Sequence, residues 1–233
     1  MSEHNSLRDE VKEQQKRALK GKSLREKVSY ILFYYKKHII IGIIVACVVI
    51  STLNHVINQK KIALAVAMVN CNQDVDYEAE MLKYFDGTGL DDSYTVSVDP
   101  TYVMMNSRLD YQLEQKFFLA TASGQIDVVM APATFFDIYA AMGYMKNLTE
   151  IMSEDELAEY SDFIHEVRLD EEHGGNIEAS GVEITNFSII KAGEWFNYGD
   201  DPIYLGIPVE SVNASQALDY LNYLKNGQNI MKK

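Results

Sequence analysis

Two histidines close to a run of carboxylates are the side chains in this sequence whose types and spacing could bind a metal. His165 and His173 bracket the acidic residues 170–172. Imidazole nitrogens and carboxylate oxygens are ligands for Zn²⁺, and a turn that folds back on itself could bring them together. The same residues fit a solvent-exposed acidic turn over Asp170–Gly175, which is the interpretation we prefer. We therefore expect no metal site here.

Motifs for catalysis are missing from the sequence. It has no nucleophile elbow G-x-S-x-G, no phosphate-binding G-x-x-x-x-G-K-[ST] and no dinucleotide-binding G-x-G-x-x-G. His165-Glu166 begins like the H-E-x-x-H motif of zinc proteases, but position 169 is Leu. Asp86-Gly87-Thr88-Gly89 matches an aspartic-protease triplet only loosely and predicts a turn. We expect a protein that is not an enzyme and that uses no cofactor.

An alternation of strands and helices must position any binding residues. Apolar runs of strand length and helical apolar stripes follow one another along residues 62–233. This order implies an α/β fold with a mainly parallel sheet and helices on both faces. The predicted strands are Ile62–Val69, Tyr94–Val98, Ile126–Met130, Val182–Lys191 and Ile203–Val209. The predicted helices are Tyr77–Phe85, Asn106–Thr121, Ala133–Ala141, a helix from a capping box at Ser153 to about Val167, and Ser215–Lys225.

The carboxyl ends of the strands offer a candidate ligand-binding rim. Open α/β sheets bind ligands in the crevice outside these strand ends. The alternative is that the loops at this edge only cap helices. Under the binding interpretation, the rim residues are Asn70 and Asn72 after the first strand, Thr101 and Tyr102 after the second, and Pro132 and Thr134 after the third.

A charge-free apolar segment precedes the α/β part. Residues 39–53 read IIIGIIVACVVISTL, and the next charged residue is Lys60. A helix over Ile39–Ile57 would be about 28 Å long at about 1.5 Å per residue, close to the ~30 Å hydrocarbon core of a bilayer. A buried core helix is the alternative, but the run has no polar face. We predict one transmembrane helix at residues 38–58.

Charge is distributed unevenly on the two sides of this segment. Residues 1–37 contain ten Lys or Arg and five Asp or Glu, a net charge of +5, whereas residues 62–233 contain nine and twenty-nine, a net charge of −20. Basic flanks of an apolar helix tend to remain in the cytoplasm. We therefore expect the N-terminus inside the cell and the acidic part outside. The negative charge would repel phosphates, so we expect no nucleic-acid partner.

The chain is thus expected to have four parts. These are a basic cytoplasmic tail without stable structure at residues 1–23, a juxtamembrane amphipathic helix at 24–37, the transmembrane helix at 38–58 and an extracellular α/β domain at 62–233. A cleaved secretory signal would have a shorter polar start. Lipidation of Cys47, which follows Ile44-Val45-Ala46 as in a bacterial lipoprotein box, remains an open alternative to a permanent anchor.

Cys71 and Trp195 each have a binding interpretation and a packing interpretation. Cys71 is either a half-buried small hydrophobe or a reactive thiol. Trp195 and Phe196, next to residues 197–200, form either an exposed contact patch or part of a loop folded onto the core. We prefer packing for both.

Several stretches of the sequence resemble one known family. Gly124–Val129 (GQIDVV), followed by Ala141–Gly143 and by Asn147–Glu150, is similar to a strand, helix and hinge approach in type 2 extracellular (periplasmic) solute-binding proteins. Tyr204–Val209 (YLGIPV), followed by Ser215–Leu224 (SQALDYLNYL), is similar to the strand and helix near the end of that family's chains. The family binds solutes in a cleft between two lobes.

The resemblance implies a single truncated lobe on a membrane anchor, because the stretch from Thr149 to Tyr204 is too short for a second lobe. A single lobe would retain half of the cleft. We expect a membrane-anchored extracellular binding or scaffold module that is accessory to a membrane complex. Its partners would be the lipid bilayer, another membrane protein and a small solute. The alternative is a ligand sensor whose half-cleft is completed by a partner subunit.

Overall fold

The chain divides into two compact units, Met1–Gln59 and Lys60–Lys233, in a computed structural model. The structure describes residues 13–14, 16–17, 20–57, 60–85, 93–105, 108–196 and 201–227. Most of the predicted tail at residues 1–23, the Asp86–Gly89 turn and residues 197–200 lie outside these ranges.

In the first unit, Leu24–Ile57 form one continuous 34-residue helix, α1. A reciprocal cap fixes its start: the N–H of Ser23 donates to the Glu26 carboxylate at 2.9 Å, and the N–H of Glu26 donates to the Ser23 hydroxyl at 3.4 Å. The predicted juxtamembrane and transmembrane helices are therefore one continuous helix. Its segment Tyr35–Asn54 has a mean hydropathy of 2.0 and no buried residue. By length and composition this segment could cross a membrane.

The second unit is an α/β fold. Its helices are α2 (Tyr77–Phe85), α3 (Tyr111–Ala122), α4 (Ala133–Ala141), α5 (Leu148–Ile151), α6 (Glu154–Glu159), α7 (Ser188–Ala192) and α8 (Ala214–Asn226). A short 3-10 helix spans Glu171–His173. Its strands are β1 (Lys61–Val69), β2 (Tyr94–Tyr102), β3 (Met104–Met105), β4 (Arg108–Leu109), β5 (Val128–Pro132), β6 (Ile164–Arg168), β7 (Ile177–Glu183) and β8 (Ile203–Gly206).

Six of these strands form one mixed sheet in the order β2-β1-β5-β8-β7-β6. The pairs β2-β1 and β1-β5 are parallel, and the other three pairs are antiparallel. Four strands, β1, β2, β5 and β7, therefore run in the same direction. The predicted α/β class is confirmed. The antiparallel half formed by β8, β7 and β6 was not predicted.

Side chains of the central strands alternate between two cores, one on each face of the sheet. Leu64, Val66 and Met68 of β1 belong to a cluster with residues of α2 and α8. Ala67 and Val69 belong to a second cluster with residues of α3 and α4. This period of two is that of a strand covered on both sides. Helices cover both faces of the sheet, as predicted.

Four predicted elements agree with the structure to within one residue. They are the strand at Ile62–Val69 and the helices at Tyr77–Phe85, Ala133–Ala141 and Ser215–Lys225. Strand ends were less accurate. The strand predicted at Tyr94–Val98 continues to Tyr102, the one predicted at Ile126–Met130 is Val128–Pro132, and the one predicted at Ile203–Val209 ends at Gly206.

The helix predicted at Asn106–Thr121 begins only at Tyr111. Asp110 caps it, because its carboxylate accepts hydrogen bonds from two backbone N–H groups of the first turn, at 2.9 and 3.0 Å. Arg108–Leu109 before the cap is strand β4, which pairs with β3 in a two-stranded sheet. Leu109 fits the helical stripe in the sequence, but it is buried as part of this small hairpin.

Two further predictions are wrong in their secondary structure. The capping box at Ser153 and Glu156 is confirmed, but its helix ends at Glu159, and Ile164–Arg168 form strand β6 beside β7. The strand predicted at Val182–Lys191 ends at Glu183, and Ser188–Ala192 is helix α7. In both stretches the apolar run is short enough to fit either a helix or a strand, and tertiary packing decides between the two.

Candidate binding site

Asn70 joins the end of β1 to the strands beside it. Its φ of +54° lies in the left-handed region, which asparagine tolerates better than most residues. Its backbone N–H donates to the carbonyl of Tyr102 at 2.9 Å, and its side-chain oxygen accepts from the N–H of Met104 at 2.7 Å. The side chain therefore organises the turn between β2 and β3.

Asn72 is bonded to the loop that contains Trp195. Its backbone N–H donates to the Trp195 carbonyl at 2.9 Å, and its side-chain amide donates to the Glu194 carbonyl at 3.2 Å. Its side-chain oxygen accepts from the N–H of Asp74 at 3.1 Å. These bonds use both ends of the amide.

Thr101 and Tyr102 at the end of β2 lie beside a lysine of α3. The Lys116 ammonium contacts the Asp99 carboxylate at 2.5 Å and donates to the Thr101 hydroxyl at 3.1 Å. It also lies 5.0 Å from the centroid of the Tyr102 ring. Partial burial opposes ionisation of Asp99, but hydrogen bonds from Lys116 and Thr101 outweigh this and lower the pKa of its carboxyl group.

Pro132 and Thr134 lie where β5 leads into α4. Pro132 is buried and pairs with Ile203 of β8. The Thr134 hydroxyl donates to the Asp201 carboxylate at 2.9 Å. Both residues thus connect the parallel and antiparallel halves of the sheet.

The structure brings together only some of the predicted rim residues. Asn70 and Tyr102 are directly bonded, whereas Asn72 and Thr134 are bonded to other segments. Most of these polar groups serve hydrogen bonds within the domain, as the structural interpretation of these loops requires. Ligand binding at this rim stays a prediction.

A cavity of about 560 Å³ lies beside the rim, between helix α3 and strands β1 and β2. Its floor includes Ala65 of β1 and Ser97 of β2, and α3 contributes Lys116 and Ala120. Three large apolar side chains line it and remain exposed to solvent: Ile62 at 53%, Leu119 at 72% and Val212 at 81%. Of the predicted rim residues, only Tyr102 lines it.

The sequence of β1 accounts for this space. In the run IALAVAMV, alanines occupy positions 63, 65 and 67, whereas the residues between them are Leu64 and Val66. Side chains alternate between faces along a regular strand, so Ala65 and Ala67, which pair with Ser97 and Asp99 of β2, face the same side. Small side chains on that face leave room that leucine or valine would fill.

A buried carboxylate, Asp127, also lines the cavity. Only 2% of the residue is exposed. Its Oδ2 accepts from the N–H of Ala65 at 2.9 Å and from the side-chain amide of Asn213 at 3.1 Å, and its Oδ1 accepts from the Ser211 hydroxyl at 2.9 Å. It therefore connects β1, the start of β5 and the loop before α8. Among the described residues, none of its hydrogen-bond partners is basic.

The cavity was not predicted from the sequence, although two signals pointed to it. The alternation of alanine with larger residues in β1 was available, as was an aspartate directly before an apolar strand in Gly124–Val129. Gly124 has a φ of +65°, and a Cβ there would lie 2.8 Å from the Glu210 carbonyl oxygen. Only glycine fits this close approach. Gly124 therefore fixes the path of the chain just before Asp127.

The histidines are not assembled into a metal site. His165 lies on β6, where its Nε2 is 2.6 Å from the Asp137 carboxylate and its ring stacks on Tyr204 at 3.9 Å between centroids. His173 lies in the 3-10 turn beside Gly143. Within the described ranges, no group of three or more His, Cys, Asp or Glu is placed to hold a metal ion.

Cys71 and Trp195 both pack inside the domain. Cys71 is 5% exposed, and burial raises the pKa of its thiol, which disfavours the reactive thiolate. Trp195 is 2% exposed, and its ring meets that of Tyr77 edge to face at 5.4 Å between centroids. The packing interpretation is confirmed for both residues.

Comparisons of the chain with protein-family models, with curated proteins and with solved structures found no match. The geometry of the α/β unit and of its cavity therefore carries the functional argument.

Proposed function

We propose that this chain is a single-pass membrane protein that displays an acidic α/β binding or scaffold module outside the cell, as an accessory to a membrane complex. The observation that carries the proposal is the segment Tyr35–Asn54. It is apolar, helical and without a buried residue. Exposing an apolar helix of this length to water would cost free energy, whereas the hydrocarbon core of a bilayer can surround its apolar side chains.

Charge supports the proposed orientation. Residues 1–37, with a net charge of +5, are expected to remain in the cytoplasm, and residues 62–233, with a net charge of −20, are expected outside. Negative charge on the exported part favours solubility and cationic partners.

The proposed role is binding rather than catalysis. The partly apolar cavity beside α3 offers a place for a ligand or partner. The resemblance to one lobe of a type 2 solute-binding protein supports the same class. The described polar side chains at the strand ends are mostly engaged in internal bonds, which suits a scaffold better than a half-cleft awaiting a partner subunit.

A second candidate is a ligand sensor completed by a partner subunit. The specific observation in its favour is the ring of exposed apolar residues around the cavity, Ile62, Leu119 and Val212. Such patches mark ligand-binding or protein-binding surfaces.

Membrane extraction tests the anchor. We expect the full chain to stay in the membrane pellet after an alkaline carbonate wash. Replacing both Val45 and Val48 with arginine should release most of it, because each arginine near the centre of a span costs about 2.5–3.5 kcal/mol of insertion free energy.

The matched control places two arginines on the same helix outside the apolar segment, at Val28 and Leu32, which are both exposed. This variant should stay in the pellet. Release of the unaltered chain by carbonate, or recovery of a free product that lacks the helix, would contradict the proposal.

A further inference from the structure

The cavity beside α3 has the size and lining of a small-molecule site. Its volume of about 560 Å³ lies within the roughly 300–1,000 Å³ that such sites occupy. Apolar side chains of Ile62, Leu119 and Val212 surround it, and a few polar groups converge on it. This combination of an apolar wall and sparse polar groups is typical of pockets that orient a small organic ligand.

The charges that line the cavity do not cancel. They belong to Asp99, Lys116 and Asp127. Lys116 is held by Asp99 and by the Thr101 hydroxyl, so its charge is already paired. Asp127 is the remaining charge, and within the described part of the chain its partners are an amide nitrogen, a backbone N–H and a hydroxyl.

Asp127 retains capacity for one more donor. An ionised carboxylate offers about four acceptor positions on its two oxygens. Three are used, two on Oδ2 and one on Oδ1. A buried carboxylate attracts a cation more strongly than an exposed one, because little water screens it.

We propose that the cavity beside α3 binds a small organic cation, with the apolar body against Ile62, Leu119 and Val212 and the ammonium group directed at Asp127. This inference rests on the proposed role as a binding module and names the class of its ligand. The negative charge of the whole unit adds a field that concentrates cations near its surface.

A series of isosteric probes tests the ligand class. The probes are 2-phenylethylammonium, the neutral 2-phenylethanol and the anionic phenylacetate, titrated calorimetrically into the purified full chain in detergent. We expect the ammonium to bind at least tenfold more tightly than the alcohol, and phenylacetate to bind more weakly than either. Equal affinity for the ammonium and the alcohol, or preference for phenylacetate, would overturn the proposal.

The Asp127→Asn variant isolates the charge. Asparagine has the same shape, and its amide nitrogen can donate to the Ser211 hydroxyl, which can rotate to accept. We expect the preference for the ammonium over the alcohol to fall to within twofold, with affinity for the alcohol retained. A preference that survives this substitution contradicts the role of Asp127.

Two matched alanines test the location of the site. Ala120 and Ala141 are both half-buried near the carboxyl ends of helices, but only Ala120 lines the cavity. Ala120→Leu should weaken both amine and alcohol at least tenfold, and Ala141→Leu should weaken neither. Equal effects of the two substitutions would place binding elsewhere and overturn the proposal.

Methyl labelling gives a readout that needs no variant. In a chain with labelled Ile, Leu and Val methyl groups, 2-phenylethylammonium should shift the signals of Ile62, Leu119 and Val212. Shifts confined to other residues would overturn the site. Self-association of the chain through this surface, lost on Ala120→Leu, would also overturn the proposal, because a second copy of the chain would then occupy the cavity.

All of these binding measurements use the detergent-purified chain, so their outcome is independent of whether the membrane anchor is confirmed.

Discussion

Replacing Asp127 with alanine is expected to lower the free energy of unfolding of the α/β unit by roughly 3–5 kcal/mol. The substitution leaves three donors without their acceptor: the N–H of Ala65, the amide of Asn213 and the hydroxyl of Ser211. Each buried unsatisfied donor costs about 1–3 kcal/mol. Urea unfolding of Lys60–Lys233 measures the loss, with Trp195, the only tryptophan, as the fluorescent probe.

Asp127→Asn is the matched control, because it keeps the side-chain shape and can keep all three hydrogen bonds. We expect it to cost less than about 1.5 kcal/mol. Asp162→Ala, which removes an exposed carboxylate, should change stability by less than about 0.5 kcal/mol. If Asp127→Ala were as mild as Asp162→Ala, the carboxylate would not hold the three segments together.

Replacing Trp195 with alanine is expected to cost about 3–5 kcal/mol, the range for deleting a large buried aromatic side chain. The indole packs edge to face against Tyr77 and lies against Gly193, where a Cβ would come within 2.2 Å of the indole nitrogen. Deletion would leave an apolar void between α2 and α7. Because the substitution removes the fluorescent probe, the unfolding midpoint should be followed by far-ultraviolet circular dichroism.

Trp195→Phe separates ring packing from hydrogen bonding. The indole N–H is buried and has no hydrogen-bond partner within the described part of the protein. Replacing the indole with a phenyl ring therefore breaks no hydrogen bond seen there. We expect phenylalanine to keep much of the contact with Tyr77 and to cost less than about 2 kcal/mol. An alanine variant as stable as the phenylalanine variant would argue against this packing role.

The sequence predicted the elements whose patterns were local. Ile62–Val69 is a continuous apolar run, the pattern of a strand covered on both faces, and the capping box of Ser153 and Glu156 marks a helix start through its own hydrogen bonds. The helix at Ala133–Ala141 ends where Gly143 adopts a φ of +74°. In these cases the information lies within a few residues of the element.

The remaining elements depend on contacts distant in the sequence. Ile164–Arg168 becomes a strand because β7 lies beside it, and a short apolar run does not reveal that neighbour. The cavity likewise arises between α3 and the alanine face of β1, segments more than forty residues apart. Topology alone predicts which residues follow the strand ends, but it does not show that Asn72 and Thr134 bond to loops near residues 194 and 201.

The central claim is that α1 crosses the membrane with the acidic unit outside. Limited proteolysis of intact cells, with the cell wall removed, tests it most directly on a chain that carries different epitopes at its two ends. The account predicts that added protease removes the C-terminal epitope and spares the N-terminal one until the membrane is permeabilised. A C-terminal epitope that resists protease in intact cells, or an N-terminal epitope that is lost there, would contradict it.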